Sequence, residues 1–395
     1  MRALFLFFTL FLVSPCFLLA QTEVDERAVI SFDKGLGFFA PDSTFGLNLR
    51  FRMQNRIGMT TVSSTDLSPE SFEANVRRLR LRFDGFLGTK FTYYLQLSFS
   101  RGDQDWDVSQ FPGVLRDAMI FYTFNERFYM GFGQGKLPGN RQRVVSSGQQ
   151  QFVDRSLVNA LFNIDRDFGL MFYHMHNLGI FDYNLKGAIS SGEGRNIMNT
   201  DDGLAYTARI ELLPLGRFEN DGDFSEGDLE GESSPKISIG ATYSINHKAK
   251  RHAGQRGYVL PEQVDIRSVF FDFVFKYSGW AVQGEYASRE VPLQPWLSPT
   301  EANQLYIFTG KGLNSQLSYV FPGYVELAAR HTWVIPHEEI NAWEPVTHIY
   351  TIGATKYYYK HRNKIQLNLS YNDRNTSFSS EANNWLLTFQ IELGI

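Results

Sequence analysis

The segment Val76 to Phe83 reads Val-Arg-Arg-Leu-Arg-Leu-Arg-Phe. Side chains in an extended strand alternate between the two faces of the sheet. Arg78, Arg80 and Arg82 therefore share one face, and Leu79, Leu81 and Phe83 share the other. The preceding segment sets Asn48, Arg50, Arg52, Gln54 and Arg56 against Phe45, Leu47, Leu49, Phe51 and Met53. The next sets Thr92, Tyr94, Gln96 and Ser98 against Phe91, Tyr93, Leu95 and Leu97. Such a chain must lie between two media, one of them apolar.

The same alternation recurs along the chain. The expected strands span 43–57, 73–87, 90–101, 114–124, 127–136, 167–176, 180–190, 203–213, 236–247, 264–277, 280–290, 303–319, 323–334, 346–359, 363–373 and 383–394. Connections after the even-numbered strands are tight, such as Gly88-Thr89, Asn125-Glu126 and Ser278-Gly279, and the others are longer and polar. The exception is the acidic connection from Pro214 to Pro235. A soluble sandwich would also alternate, but this apolar face is unusually aromatic and the loop lengths fit a meander rather than a Greek key. The pattern predicts an all-β fold: a transmembrane, antiparallel, up-and-down β-barrel of about 16 strands.

Residues 1–20 carry Arg2, an apolar run and Ala20, the signature of an export signal. They hold the one cysteine, so the remainder has no thiol chemistry. Residues 21–42 form a leader with no strand assigned, and 43–395 the barrel. With 38 Lys+Arg against 42 Asp+Glu, the chain is not a general nucleic-acid binder. No Gly-x-Ser-x-Gly elbow, His-Glu-x-x-His pair or phosphate-binding glycine loop is present, so neither an enzyme nor a cofactor is expected. His174 and His176 share one face of a strand, but without an evident third ligand they read as a polar pair near a turn. Asp221, Asp223, Ser225 and Glu232 have the spacing of a calcium loop, yet Glu226 stands where that loop needs glycine, so a solvated acidic turn is expected. Trp280, Trp385 and the run Tyr357-Tyr358-Tyr359 fit interfacial aromatic girdles.

Alternation also sorts the charges. Arg50, Arg52, Arg56, Arg78, Arg80 and Arg82 face the polar side of the first hairpin against Asp84 alone. Later strands place Lys186, Arg209, Lys276, Arg289 and Arg330 against Asp182, Glu211, Asp272, Glu285, Glu326 and Glu392, which is close to balance. Like charges on neighbouring strands cost stability, so anions must offset the arginine stripe. Those anions are either loop carboxylates or mobile solutes. The stripe therefore reads as an anion path, as a brace for a loop, or as both.

Four stretches resemble the phosphate-selective porin O and P family. They are Arg77 to Gly85, Phe91 to Leu97, Leu115 to Ala118, and the group formed by Gly133 to Pro138, Asp154 to Ala160 and Asp165 to Gly169. The resemblance implies an outer-membrane, homotrimeric porin for small anionic solutes, in contact with outer-membrane lipid. It also implies that the third loop, 137–165, folds into the lumen and narrows it. Lys136, Arg141, Arg143, Arg155 and Arg166 would then complete the anion path at the constriction. The family's phosphate-specific members are lysine-rich there, whereas this chain has Lys136 among arginines and aspartates. A general or oligosaccharide porin, with Tyr94, Tyr122 and Tyr173 as a sugar track, is the alternative. A secreted, soluble β-rich binding protein is the alternative from another class.

Overall fold

The computed structural model describes residues 29–32, 35–100, 113–198, 200, 203–292, 306–375 and 383–395. The expected export signal lies outside the described residues. Two short strands, β1 (Val29–Ser31) and β2 (Leu36–Phe39), lead into sixteen longer ones. These are β3 (Phe45–Thr61), β4 (Pro69–Leu87), β5 (Phe91–Ser98), β6 (Leu115–Asn125), β7 (Phe128–Lys136) and β8 (Arg166–Leu178). Then come β9 (Phe181–Ser190), β10 (Ala205–Leu213), β11 (Lys236–Arg251), β12 (Val259–Tyr277) and β13 (Trp280–Glu290). The last are β14 (Gly310–Phe321), β15 (Val325–Pro336), β16 (Val346–Tyr359), β17 (Asn363–Asn375) and β18 (Asn384–Gly394). Each pairs antiparallel with its neighbours, and β18 pairs with β3 from Leu386↔Thr60 to Gly394↔Arg52. The sheet is therefore a closed barrel, which leaves no open edge in a bilayer.

The leader contributes where no strand was expected. Beyond the reach of β18, β2 takes up the same edge of β3, from Leu36↔Leu49 to Phe39↔Gly46, and β1 pairs onto β2.

The distribution of side chains is inverted relative to a soluble domain. Ile57, Ile120, Phe132, Phe271, Ile352 and Leu387 are exposed on the outside, while Gln54, Arg80, Asp182, Glu211 and Gln390 are buried inside. Among the described residues no helix is long and apolar enough to cross a membrane, and the crossing is made by strands. Trp280 and Tyr319 pack 4.8 Å apart on the outer face, as do Tyr371 and Trp385. Two girdle and track expectations are corrected. Tyr357 is buried inside and donates to Glu326, because its neighbours Tyr358 and Tyr359 take the exposed positions. Tyr122 packs on Phe91 and Phe124 among the outward residues, so it cannot line the lumen.

The connection between β7 and β8 folds inward. Its two short helices are α1 (Arg141–Val144) and α2 (Leu157–Phe162). Ser156 caps α2 by accepting the Asn159 amide at 3.1 Å. At its other end Arg289 donates to the carbonyls of Leu161 and Phe162, both at 2.9 Å. Val158 and Phe162 are fully buried in a cluster with Phe270, Ala287 and Val334 of the inner wall. Burial on this scale stabilises by about 2 kcal/mol per side chain. Gly312 makes the approach possible, since a Cβ there would stand 2.7 Å from Val158 Cγ2.

The connection 214–235 also turns inward, from the short-turn end of the barrel. A solvated acidic turn was expected here, and the structure corrects that. Asp223, Glu226, Asp228 and Glu232 are all buried. Backbone amides bind three of them: Gln151 N to Glu226 at 3.0 Å, Gly279 N to Asp228 at 2.7 Å, and Glu219 N to Glu232 at 2.8 Å. Among the described residues no group of three or more His, Cys, Asp or Glu is placed to hold a metal.

Candidate functional site

Two cavities of the lumen border the inward loop. The upper one, about 480 Å³, is lined by Arg77, Arg78, Arg80, Arg116, Lys136, Arg143, Arg155, Arg166, Arg195, Arg256 and Arg330. Its carboxylates are Asp154 and Asp165. The lower one, about 450 Å³, carries Arg50, Arg52, Arg80, Arg82, Lys136, Arg166 and Arg362 with Asp117 and Glu392. Three residues line both cavities: Arg80, Lys136 and Arg166. They mark the junction.

Neutral oxygens hold several of these cations. Lys136 Nζ donates to the Val144 carbonyl at 2.9 Å, and Arg80 to the Ser147 hydroxyl at 3.0 Å. Arg155 donates to the carbonyls of Gln142 at 2.7 Å and Val145 at 2.8 Å. Arg330 binds the backbone oxygen of Asp154 at 2.8 Å. A carbonyl fixes a cation without adding an opposite charge. Arg166 differs, lying against Asp117 at 2.7 Å and Asp165 at 3.4 Å.

Other arginines brace the loop. Arg56, Arg77 and Arg78 converge on Asp154, the last two at 3.4 and 3.7 Å. Burial alone would raise the Asp154 pKa, but these guanidiniums outweigh it and hold the carboxyl below its usual range. Asp165 behaves likewise: Arg143, Arg166 and Arg256 override the cost of burial and keep it well below the ordinary value. In the inward turn no cation is strong enough to do this for Glu232, and burial pushes its pKa up.

Arg77 was absent from the alternation count. The register skips between Gln54↔Arg78 and Asn55↔Val76, so Arg77 is the extra residue of a bulge. The bulge turns two consecutive arginines toward Asp154. The sequence carries a trace of it: the apolar phase runs on even numbers at Ala74 and Val76 and on odd numbers from Leu79.

Arg141 is drawn away from the cavities. It binds Asp272 and Ser238 at 2.9 and 2.8 Å and lies 3.5 Å from Asp223. Arg209 joins Glu211 at 2.8 Å and Asp272 at 2.7 Å, and Lys186 meets Glu211 at 2.6 Å. Arg141, Arg209 and Lys186 thus face Glu211, Asp272 and Asp223, and this side of the wall is neutral. Arg141 lines neither of these two cavities and ties the loop to the wall.

The family model for phosphate-selective porin O and P matches residues 47–390, almost the whole barrel. The chain belongs to this family. Its members' location, the bacterial outer membrane, agrees with the exposed apolar band. An uncharacterized protein of Aquifex aeolicus is 26% identical over 226 residues, covering 51% of this chain and 54% of the relative. The chain thus spans about half the length of that relative. Among solved structures, the anion-selective porin of Comamonas acidovorans aligns at a TM-score of 0.56 and 10% identity, over 89% of this chain and 100% of that one. The DcaP channel of Acinetobacter baumannii aligns at 0.56 and 11%, over 91% and 99%. The trimer form of OmpT from Vibrio cholerae aligns at 0.52 and 11%, over 88% and 99%. At such identities the likeness is one of fold.

In this porin family member, His174 and His176 lie beside Tyr183, with ring centroids 6.0 and 5.5 Å from it, near the turn after β8.

Proposed function

We propose that the protein is a passive outer-membrane channel for small solutes that prefers anions, oxyanions of the phosphate class among them. Arg50, Arg52, Arg78, Arg80, Arg82, Lys136, Arg143, Arg155 and Arg166 form the path. Arg56 acts chiefly as a brace through Asp154. The observation that carries this reading is the junction: the residues shared by the two cavities, Arg80, Lys136 and Arg166, are all basic. Guanidinium presents planar donors that suit oxyanions, and a narrow low-dielectric passage concentrates its field. The porin family and the closed barrel support a channel and not an enzyme.

The assembly we propose is a homotrimer, the state in which OmpT of the same fold is seen. Residues 1–20 would direct export.

Reversal potentials of the purified channel across a potassium chloride gradient test the reading. Anion preference is expected, and Lys136→Gln should lower the anion-to-cation permeability ratio several-fold. Cation preference in the unmodified protein would overturn the proposal.

A further inference from the structure

The lower cavity has a second chemistry beside its arginines. On β6 the inward residues Met119 and Phe121 are apolar, although the outward Ile120, Tyr122 and Phe124 of the same strand are apolar too. Strand β8 repeats this with Met171 and Tyr173. Met119, Phe121, Met171 and Tyr173 all line the lower cavity. Met119 and Met171 are buried in a cluster with Leu137 and Ile164 of the inward loop, and Phe121 and Tyr173 pack on it while remaining only partly buried at the cavity.

The rings are arranged as a platform. Tyr129 and Tyr173 stack with centroids 4.5 Å apart and planes within 7°, and Phe121 lies 6.1 and 6.3 Å from them. Glycines on the intervening β7 let it lie flat. A Cβ at Gly131 would stand 2.7 Å from the Phe121 ring, and one at Gly135 would stand 2.8 Å from Met119. Tyr94 joins the platform to the arginine stripe. The Arg82 guanidinium sits 4.3 Å over its ring, and its hydroxyl donates to Asp117 at 3.2 Å.

We infer that the lower cavity binds organic anions with a flat apolar body, aromatic carboxylates being the simplest class. The carboxylate would meet Arg82 and its neighbours on β3 and β4, and the ring would lie against Phe121 and Tyr173. A cavity of about 450 Å³ has room for such a solute. An inorganic anion would use the arginines and leave the open faces of Phe121 and Tyr173 uncovered. This inference rests on the anion-path reading and adds the solute class to it.

The test uses the full chain in planar bilayers, with chloride current recorded as benzoate or propionate is added. Benzoate should block at about tenfold lower concentration than propionate, the gain expected from one ring stacking on the platform. The double variant Phe121→Ala with Tyr173→Ala should bring the two concentrations together. Equal block by both in the unmodified channel, with anion-directed reversal potentials, would overturn this inference and leave the anion path standing. Cation-directed reversal potentials would overturn both. The comparison in the unmodified protein needs no variant to fold.

Discussion

The amide of Gln151 donates to the carboxylate of Glu226 at 3.0 Å, joining a loop that enters the lumen from one end to a turn that enters from the other. A second bond runs the other way, Glu226 N donating to the Gln149 carbonyl at 2.8 Å. Two segments that the alternation cannot describe thus support one another in mid-barrel.

Substituting Glu226→Ala removes the acceptor while leaving the Gln151 amide buried. An orphaned buried donor costs about 1–3 kcal/mol. Faster amide exchange at residues 149–151 and greater open-channel noise are expected, with the barrel still folded. Exchange unchanged from the parent would show that the turn does not support the loop.

Acid should release the loop only at low pH. The folded pKa of Asp165 is depressed, so its ion pairs contribute stability above the unfolded value of about 3.9. That contribution is lost as pH falls through the still lower folded value. A change in conductance and noise below about pH 4 is therefore expected as the Asp165 ion pairs are lost. Single-channel recording across a pH titration checks it, and a transition near pH 6 would assign the loop's stability to other groups.

Gly312→Val tests the docking of α2. The new side chain would collide with Val158, and overpacking of this kind costs about 1–3 kcal/mol. The helix should lift from the wall, with a shifted conductance and a lower melting temperature. Gly312→Ala should do the same more weakly.

The barrel was legible because a period of two survives wherever lipid faces water. All sixteen strands appear within a few residues of their expected spans, except that the first half of the 303–319 span is not strand from Tyr306 to Thr309. What escaped had no period or broke it. Arg77 lies in a bulge, and a count by parity assigns it to the wrong face. Glu226 and Asp228 look like surface acids until the amides they bind are seen, since hydrogen bonds across the lumen join residues 75 and 51 positions apart. Arg141 looks like its neighbours Arg143 and Arg155 in sequence, and only its distant partners Asp272, Ser238 and Asp223 set it apart. Tyr357 was grouped with two exposed tyrosines because three identical residues in a row hide which one points inward.

The seam between β3 and β18 joins Arg52 to Gly394, and β2 fastens the rest of that edge. The other ladders of the sixteen-strand wall join strands consecutive in the chain, but this one has to await nearly the entire polypeptide. Closing it is intrinsically slow, because distant segments must meet before any bond rewards them. Until then the β3 edge from Arg52 to Thr60 stays open to strands of other chains, so the speed of membrane insertion should be governed by that final lock more than by any single hairpin.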